Sequence, residues 1–334
     1  MKKILSMLLV IAMIATMMVG CGAKEEAPAA ETAAETTEET TAEYKVAMVI
    51  NSSISDGGWG SSCYQAMVDA AEARGWESAY TENVATADYV SAFSDYADLG
   101  YDLIFAPGGE YTDAVAEVAA EYPETYFCLL NGTLETDNIT SVLPDAEQIG
   151  YMAGALAGLM TETNYIGFIG AIELDTTVKK IACYEEAAKI VNPDCQVTSS
   201  YAGSFDDAAK GKEIASSMIT TYDVDVMFGD ASAVDTGARE AMAEGEGRFA
   251  IAQPGDFGSE EDELIICSVV TDNSALVGEC MDDIAAGTYG NKTIYGDLAN
   301  GCLSVGTFSK VVPEEVRTAY LEYVEQMKEG TFVK

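Results

Sequence analysis

The hydrophobic positions of the chain alternate between short continuous runs and longer segments with helical spacing. Residues 45–50 form a near-continuous apolar run, as expected for a parallel strand that is buried on both faces. Residues 61–74 then place apolar side chains on one face and end before Gly75, which predicts a helix. The same two patterns recur downstream and predict strands at 103–106 and 126–130 and a helix at 111–121.

The pattern then starts again with a helix rich in Ala and Gly at residues 151–160. Three further strands and three further helices are predicted from the same spacing: strands at 165–169, 196–200 and 224–228, and helices at 178–191, 206–221 and 235–244. Two successive series of this kind predict an α/β fold with two doubly wound parallel-sheet lobes joined by a hinge. We expect lobe 1 to comprise residues 44–142 and 256–293, and lobe 2 residues 143–255 and 294–334.

The first residues predict an export signal. Lys2 and Lys3 precede an apolar run over residues 4–19, which is shorter than the ~20 residues that a membrane-spanning helix needs. A basic start and a short apolar core are typical of a signal peptide, here over residues 1–20. Residues 18–21 resemble the bacterial lipobox, so Cys21 is predicted to become the lipidated first residue of the mature protein, anchored at the extracytoplasmic face of the cell membrane. An ordinary signal peptide with a chance cysteine is the alternative.

Residues 22–43 contain no aromatic and no large aliphatic side chain. Such a segment cannot bury enough apolar surface to offset the entropy of ordering it. Together with Cys21 it is therefore predicted to be a flexible acidic tether with a reach of roughly 25 Å.

The amino-acid composition excludes or disfavours several classes of function. The chain has 17 basic and 56 acidic side chains, a net charge of −39, which disfavours nucleic acid as a partner. It contains no histidine, which excludes Ser-His-Asp and Cys-His catalysis and any His-ligated metal site. We therefore expect no enzymatic activity, no cofactor and no metal; an exported hydrolase would need a carboxylate pair or metal cluster, and no spacing suggests one. Seven cysteines besides Cys21 are present: Cys63, Cys128, Cys183, Cys195, Cys267, Cys280 and Cys302. We expect them to act as small buried hydrophobic residues, although the sequence does not decide whether any of them form disulfides.

Several segments, in order along the chain, carry a resemblance to a known family: residues 56–61, 153–160, 169–171 and 201–207. From Tyr44 to about Lys310 the chain resembles the basic membrane protein family of ABC-transporter substrate-binding lipoproteins, in which purine nucleoside receptors are best understood. The resemblance implies a type I periplasmic-binding-protein-like fold. It also implies an extracytoplasmic receptor that binds a small molecule and delivers it to an ABC permease and ATPase.

The same resemblance suggests where a ligand would bind. Trp59 stands at the position of a stacking phenylalanine of the family, Phe228 fits its second stacking ring, and Asp256 matches one of its aspartates. A nucleoside needs aromatic faces for its base and hydrogen-bond acceptors for its ribose hydroxyls. The predicted ligand-binding residues all lie near strand ends: Asn51, Asp56, Trp59, Asn131, Asp145, Phe228, Asp230 and Asp256.

Two departures from the family leave the identity of the ligand undecided. A ligand-contacting lysine of the family falls near Thr271, and an asparagine beside the aromatic residue is Gly60 here. A purine-type nucleoside is the leading prediction. A receptor for a sugar or another small polar ring compound is the alternative, because one fold serves many ligands. A lipoprotein that senses solute for a signalling partner is the third possibility.

Overall fold

The computed structural model describes residues 44–333. The predictions for the signal peptide, for Cys21 and for the tether lie outside these residues. Within residues 44–333, no helix combines the length and the apolar character that a membrane crossing requires. The same part of the chain holds no cluster of side chains that could bind a metal ion, and the seven cysteines in it are buried and unpaired.

The first half of the described chain alternates strands and helices. Its elements are β1 (Lys45–Val49), α1 (Trp59–Glu72), β2 (Glu77–Thr81), α2 (Tyr89–Asp98), β3 (Leu103–Ala106), α3 (Thr112–Glu121), β4 (Tyr126–Leu130), β5 (Ile139–Pro144), α4 (Ala146–Met160), β6 (Tyr165–Gly170) and α5 (Asp175–Val191).

The second half continues the alternation and ends on a helix. Its elements are β7 (Gln196–Tyr201), α6 (Ala208–Tyr222), β8 (Val226–Asp230), α7 (Ala233–Ala243), β9 (Phe249–Ala252), β10 (Ile265–Thr271), α8 (Ser274–Ala286), β11 (Lys292–Gly296), β12 (Leu303–Val305) and α9 (Glu314–Lys328).

These strands form two six-stranded sheets, one in each lobe. The first has the order β11-β5-β4-β3-β1-β2 and is parallel throughout. Helices cover both faces of this sheet. Adjacent strand residues point to opposite faces, and Met48 and Val49 accordingly belong to different hydrophobic clusters. Met48 packs with Met67 of α1 and Met281 of α8, whereas Val49 packs with side chains of α2 and α3. The predicted double winding is thereby confirmed for this lobe.

The second sheet has the order β12-β10-β9-β8-β6-β7. It is parallel except for β12, which pairs antiparallel with β10. One face packs against α4, α5 and α9, and the other against α6 and α7. The small residues of α4 allow α5 to approach closely: a Cβ on Gly154 would lie 2.1 Å from the carbonyl oxygen of Tyr184. The Ala- and Gly-rich pattern of this helix therefore reflects backbone contact.

The lobe boundary predicted at residue 256 needs correction. The predicted boundary puts strand β10 in lobe 1, but β10 hydrogen-bonds to β9 within the second sheet. Residues 253–264 lead the chain back along the lobe so that β10 can run parallel to β9, with Ile265 opposite Ala250. The chain therefore passes to the first lobe between Thr271 and Ser274, where α8 begins.

Three chain segments connect the two sheets and form the hinge. They lie between β5 and α4, between β10 and α8, and between β11 and β12. Backbone hydrogen bonds join them: the Asp145 N–H donates to Gly296 at 2.7 Å, and the Asp272 N–H donates to Cys302 at 2.7 Å. Two lobes linked by a few crossings are the arrangement in which hinge closure around a ligand is common.

Candidate functional site

The loops beyond the carboxyl ends of the strands are the candidate binding region, as in other open parallel sheets. In lobe 1, the segment after β1 meets the segment after β3. The Asn51 N–H donates to the Tyr111 hydroxyl at 2.8 Å, and the Asn51 side-chain amide lies 3.4 Å from a carboxylate oxygen of Glu110. Tyr111 is fully buried and packs on Tyr89 at 4.6 Å. A buried tyrosine thus fixes the backbone that presents Asn51.

Asp56 organises the loop that leads into α1. Its carboxylate accepts hydrogen bonds from the backbone N–H groups of Gly58, Gly60 and Ser61 at 2.8–3.0 Å. These are donors near the start of a helix, which an Asp side chain commonly satisfies. The predicted ligand-binding residue therefore has a structural role here. Gly60 leaves no room for a side chain, because a Cβ there would lie 2.2 Å from the carbonyl oxygen of Ser53.

Trp59 is the first residue of α1 and is half-buried. Its indole N–H donates to the Pro107 carbonyl at 2.7 Å. This hydrogen bond ties the ring to the segment that follows β3. The indole is therefore held in one orientation beside the strand ends, while part of its surface remains open to solvent.

Glu110 is a candidate site residue that the sequence predictions missed. It follows β3 in a single 3₁₀ turn over Gly109–Tyr111, and its side chain reaches solvent. Desolvation by the surrounding protein raises the pKa of the Glu110 carboxyl, while hydrogen bonds from its own backbone and from Asn51 act in the opposite direction. The sequence feature that could have indicated Glu110 is its position: it follows a buried strand and the residues Pro-Gly-Gly at 107–109.

Asn131 lies at the end of β4, close to the same turn. Its backbone adopts φ 58°, a left-handed conformation in which Asn is enriched. A Cβ on Gly109 would lie 2.8 Å from the Asn131 carbonyl oxygen, so the second glycine allows the two loops to touch. The structure thus brings Asn51, Trp59, Glu110 and Asn131 to one edge of lobe 1.

Asp230, at the end of β8, is the corresponding polar residue of lobe 2. Its carboxylate accepts from the Thr177 hydroxyl at 2.7 Å, from Lys180 Nζ at 2.8 Å and from the Gln253 amide at 3.1 Å. The side chains of Lys180 and Asp230 are only 12% and 21% exposed. This partly buried ion pair joins α5 to the ends of β8 and β9, and it neutralises Lys180.

The two edges meet at Gly58 and Ser232. A Cβ on Gly58 of lobe 1 would lie 4.0 Å from the Ser232 Cα of lobe 2. Ser232 adopts φ 52° and ψ −115°, a combination that is costly for a residue with a side chain and that clusters at functional sites. Three residues further, burial raises the pKa of the Asp235 carboxyl to about 7. The strand-end loops of the two lobes therefore come into contact at this point, and we call the region between them the cleft.

Phe228 does not belong to this cleft, and its prediction as a stacking ring is wrong. The side chain is 1% exposed. It lies in the middle of β8 and stacks on Tyr184 at 5.9 Å with an interplanar angle of 19°. Its ring also meets Phe168 edge-on at 5.4 Å. These contacts make Phe228 part of the hydrophobic core of lobe 2.

Two further predicted residues stabilise the chain crossings and their surroundings. Asp145 accepts from the backbone N–H groups of Glu147 and Gln148 at 2.9 and 3.2 Å, and so caps α4 at the first crossing. Asp256 is exposed and accepts from the Thr307 N–H and hydroxyl at 2.7–3.0 Å. Asp256 thus ties the loop after β9 to the segment that follows β12. Thr271, at the family's lysine position, is buried.

Two doubly wound sheets, three connecting segments and strand-end loops in contact define a two-lobed fold of the type I periplasmic-binding-protein class. An ABC-transporter solute-binding protein from Conexibacter woesei has the same fold: its structure superimposes with a TM-score of 0.71 and 19% identity, covering 87% of this chain and 98% of that one. The predicted fold class is confirmed.

The family model described as "ABC transporter substrate-binding protein PnrA-like" matches residues 43–331. The chain therefore belongs to this family of ABC-transporter substrate-binding proteins, and the predicted resemblance is confirmed.

Three relatives of this chain carry names that describe three different roles. The nucleoside-binding protein BmpA of Lactococcus lactis is 29% identical over 245 residues, covering 68% of this chain and 70% of the relative. The putative glucose-binding protein TsgA13 of Haloferax volcanii is 27% identical over 283 residues, covering 84% and 71%. The transcriptional activator protein med of Bacillus subtilis is 25% identical over 272 residues, covering 81% and 84%.

Proposed function

We propose that this protein is the extracytoplasmic receptor of an ABC importer and that it binds a purine-type nucleoside in the cleft between its lobes, for delivery to a permease and ATPase. The observation that carries the proposal is the edge of lobe 1. There an indole ring, fixed by its hydrogen bond to Pro107, lies beside the paired polar side chains of Asn51 and Glu110. An aromatic face with polar groups at its edge suits a flat, hydrogen-bonding base.

The charges of the cleft favour a nucleoside over a nucleotide. The Lys180 ammonium lies at the end of β8, where the Asp230 carboxylate neutralises its charge at 2.8 Å. Asp56, Glu110 and Asp256 add negative charge near the strand ends, and the whole chain carries −39. A phosphate group would meet repulsion from this field, whereas a neutral nucleoside offers N–H and O–H donors to the carboxylates.

We place the base on Trp59 and the sugar toward lobe 2. Asn51 and Asn131 supply amide groups at the lobe 1 edge. Asp256 is exposed, and its carboxylate has about four acceptor sites, of which Thr307 takes up only part. It therefore stays a proposed acceptor for ribose hydroxyls.

Titration calorimetry of the purified protein against adenosine, guanosine, adenine and glucose tests the proposal. We expect saturable heat with at least one nucleoside and weaker binding of the free base, because the base lacks the ribose hydroxyls. A folded protein that gives no heat with millimolar nucleoside but binds glucose would instead be a sugar receptor. That second reading is favoured by the H. volcanii relative and by the absence of the family's lysine at Thr271.

Membrane attachment through Cys21 is part of the proposal. It is supported by the apolar run of residues 4–19 and by the lipobox-like residues 18–21. In cells, the Cys21→Ser variant should move from the membrane fraction to the soluble fraction, because lipid modification requires the thiol. Ala23→Ser is the matched control, since it changes the neighbouring sequence but keeps the thiol. A Cys21→Ser variant that stays in the membrane fraction to the same extent as wild type contradicts the anchor.

Delivery to a permease and sensing for a signalling partner need the same cleft. The B. subtilis relative carries the name of a transcriptional activator, but the acidity of the present chain opposes direct contact with DNA. Loss of nucleoside uptake in cells that lack this receptor supports transport. Unchanged uptake with an altered response to nucleoside would support the sensor instead.

A further inference from the structure

The Glu110 carboxylate is held in a space that the backbone around it keeps open. A Cβ on Gly108 would lie 2.1 Å from a carboxylate oxygen of Glu110, so any larger residue at 108 would displace the side chain. Gly108 has φ 173°, an extended conformation that every residue can adopt. Glycine at position 108 is therefore explained by the space that the carboxylate occupies and not by an unusual backbone conformation.

The carboxylate is oriented from one side and open on the other. The Asn51 amide lies 3.4 Å from Oε1, and the side chain still reaches solvent. A carboxylate offers about four acceptor sites in all. The Asn51 contact and the backbone contact of Glu110 itself leave acceptor capacity that is open to solvent.

The position of Glu110 relative to Trp59 indicates which part of the ligand it meets. The indole N–H is bonded to Pro107, three residues before Glu110. The segment that carries the carboxylate therefore touches the edge of the indole ring at Pro107. A base stacked on the indole would present its own hydrogen-bonding edge to this segment, whereas the ribose acceptor proposed above, Asp256, belongs to lobe 2.

We infer that Glu110 reads the edge of the base and makes the receptor prefer guanosine to adenosine. The inference rests on the proposed nucleoside-binding function. Guanine presents two adjacent donors, its N1–H and its exocyclic amine, and a carboxylate can accept both at once. Adenine presents an acceptor at the equivalent ring nitrogen, which would face the carboxylate without a proton between them. A site built to accept donors discriminates strongly against a ligand that lacks them.

Calorimetric titration of wild type and variants with guanosine, inosine and adenosine tests this inference. Wild type should bind guanosine about 10-fold more tightly than adenosine, as expected for one bidentate contact, with inosine between them because it keeps only the ring N–H. Glu110→Gln should weaken guanosine binding about 10-fold and leave adenosine binding within about 2-fold. Gly108→Ala should reduce the guanosine preference in the same way, since it displaces the carboxylate without removing it.

Glu117→Gln is the matched control, because it removes an exposed carboxylate of α3 and should leave all three affinities unchanged. Far-ultraviolet circular dichroism confirms that each variant is folded. Equal affinity of wild type for guanosine and adenosine overturns the inference and leaves the proposed function intact. A Glu110→Gln variant that loses both nucleosides alike, but not the free bases, places the carboxylate at the ribose and also overturns it. Wild type that binds no nucleoside contradicts the proposed function itself.

Discussion

Replacing Phe228 with alanine should lower the free energy of unfolding by about 3–5 kcal/mol, the usual cost of removing a large aromatic side chain from a core. The ring is 1% exposed and contacts Tyr184 and Phe168 on neighbouring elements of lobe 2. Truncation would leave a cavity that these rings cannot fill, because both are fixed by their own packing. Urea denaturation followed by circular dichroism measures the change.

Phe228→Leu is the matched control, since it keeps most of the apolar volume and should cost less than about 1.5 kcal/mol. Both variants should keep nucleoside affinity under conditions where they remain folded, because the ring does not reach the cleft. A Phe228→Ala variant of unchanged stability that no longer binds nucleoside would contradict the core position and restore the stacking role.

The error in the Phe228 prediction has a simple geometric origin. The apolar pattern predicts a strand at residues 224–228, which makes Phe228 its last residue and points it toward the ligand. The strand instead runs from Val226 to Asp230, so Phe228 lies at its centre. Asp225 lies just before the strand, and its carboxylate accepts from the Glu162 and Thr163 N–H groups at 2.7 and 2.9 Å. A shift of two residues preserves the fold and changes the role.

The fold itself was predictable because its signal is repeated and local. Continuous apolar runs such as residues 45–50 and 103–106 are typical of strands that are covered on both faces. The segments between them have the apolar spacing of helices. The assignment of β10 to a lobe was not predictable in this way. Its apolar residues 265–271 fit either sheet equally well, and only the return of residues 253–264 along lobe 2 decides between them.

Polar residues at strand ends were the least predictable part of the site. Asp56 and Asp145 stand where a ligand-binding carboxylate would stand, but both accept backbone hydrogen bonds at helix starts, a role that the same residue type serves equally well. Glu110 has no counterpart in the resemblance, so the sequence does not indicate it. Its proposed role depends on Gly108 and Asn51, which come close to its carboxylate only in the folded chain.

Replacing Trp59 with alanine should weaken nucleoside binding about 10- to 100-fold, because stacking of a base on an aromatic side chain contributes roughly 1–3 kcal/mol. The loss should fall on guanosine and adenosine alike, since every base has a π face. It should therefore differ from Glu110→Gln, which acts on one base only. Trp59→Phe separates two contributions: it keeps an aromatic face but lacks the indole N–H that donates to Pro107, so we expect a smaller loss.

Tryptophan fluorescence provides an independent measure of the same contact. The chain has two tryptophans; the other, Trp76, is 9% exposed and stacks on Tyr44 at 4.9 Å, in a different part of lobe 1. In a Trp76→Phe variant the remaining signal comes from Trp59, and saturating nucleoside should change its intensity with the same dissociation constant that calorimetry gives. Nucleoside binding that neither alters this fluorescence nor weakens in Trp59→Ala would place the ligand elsewhere on the protein.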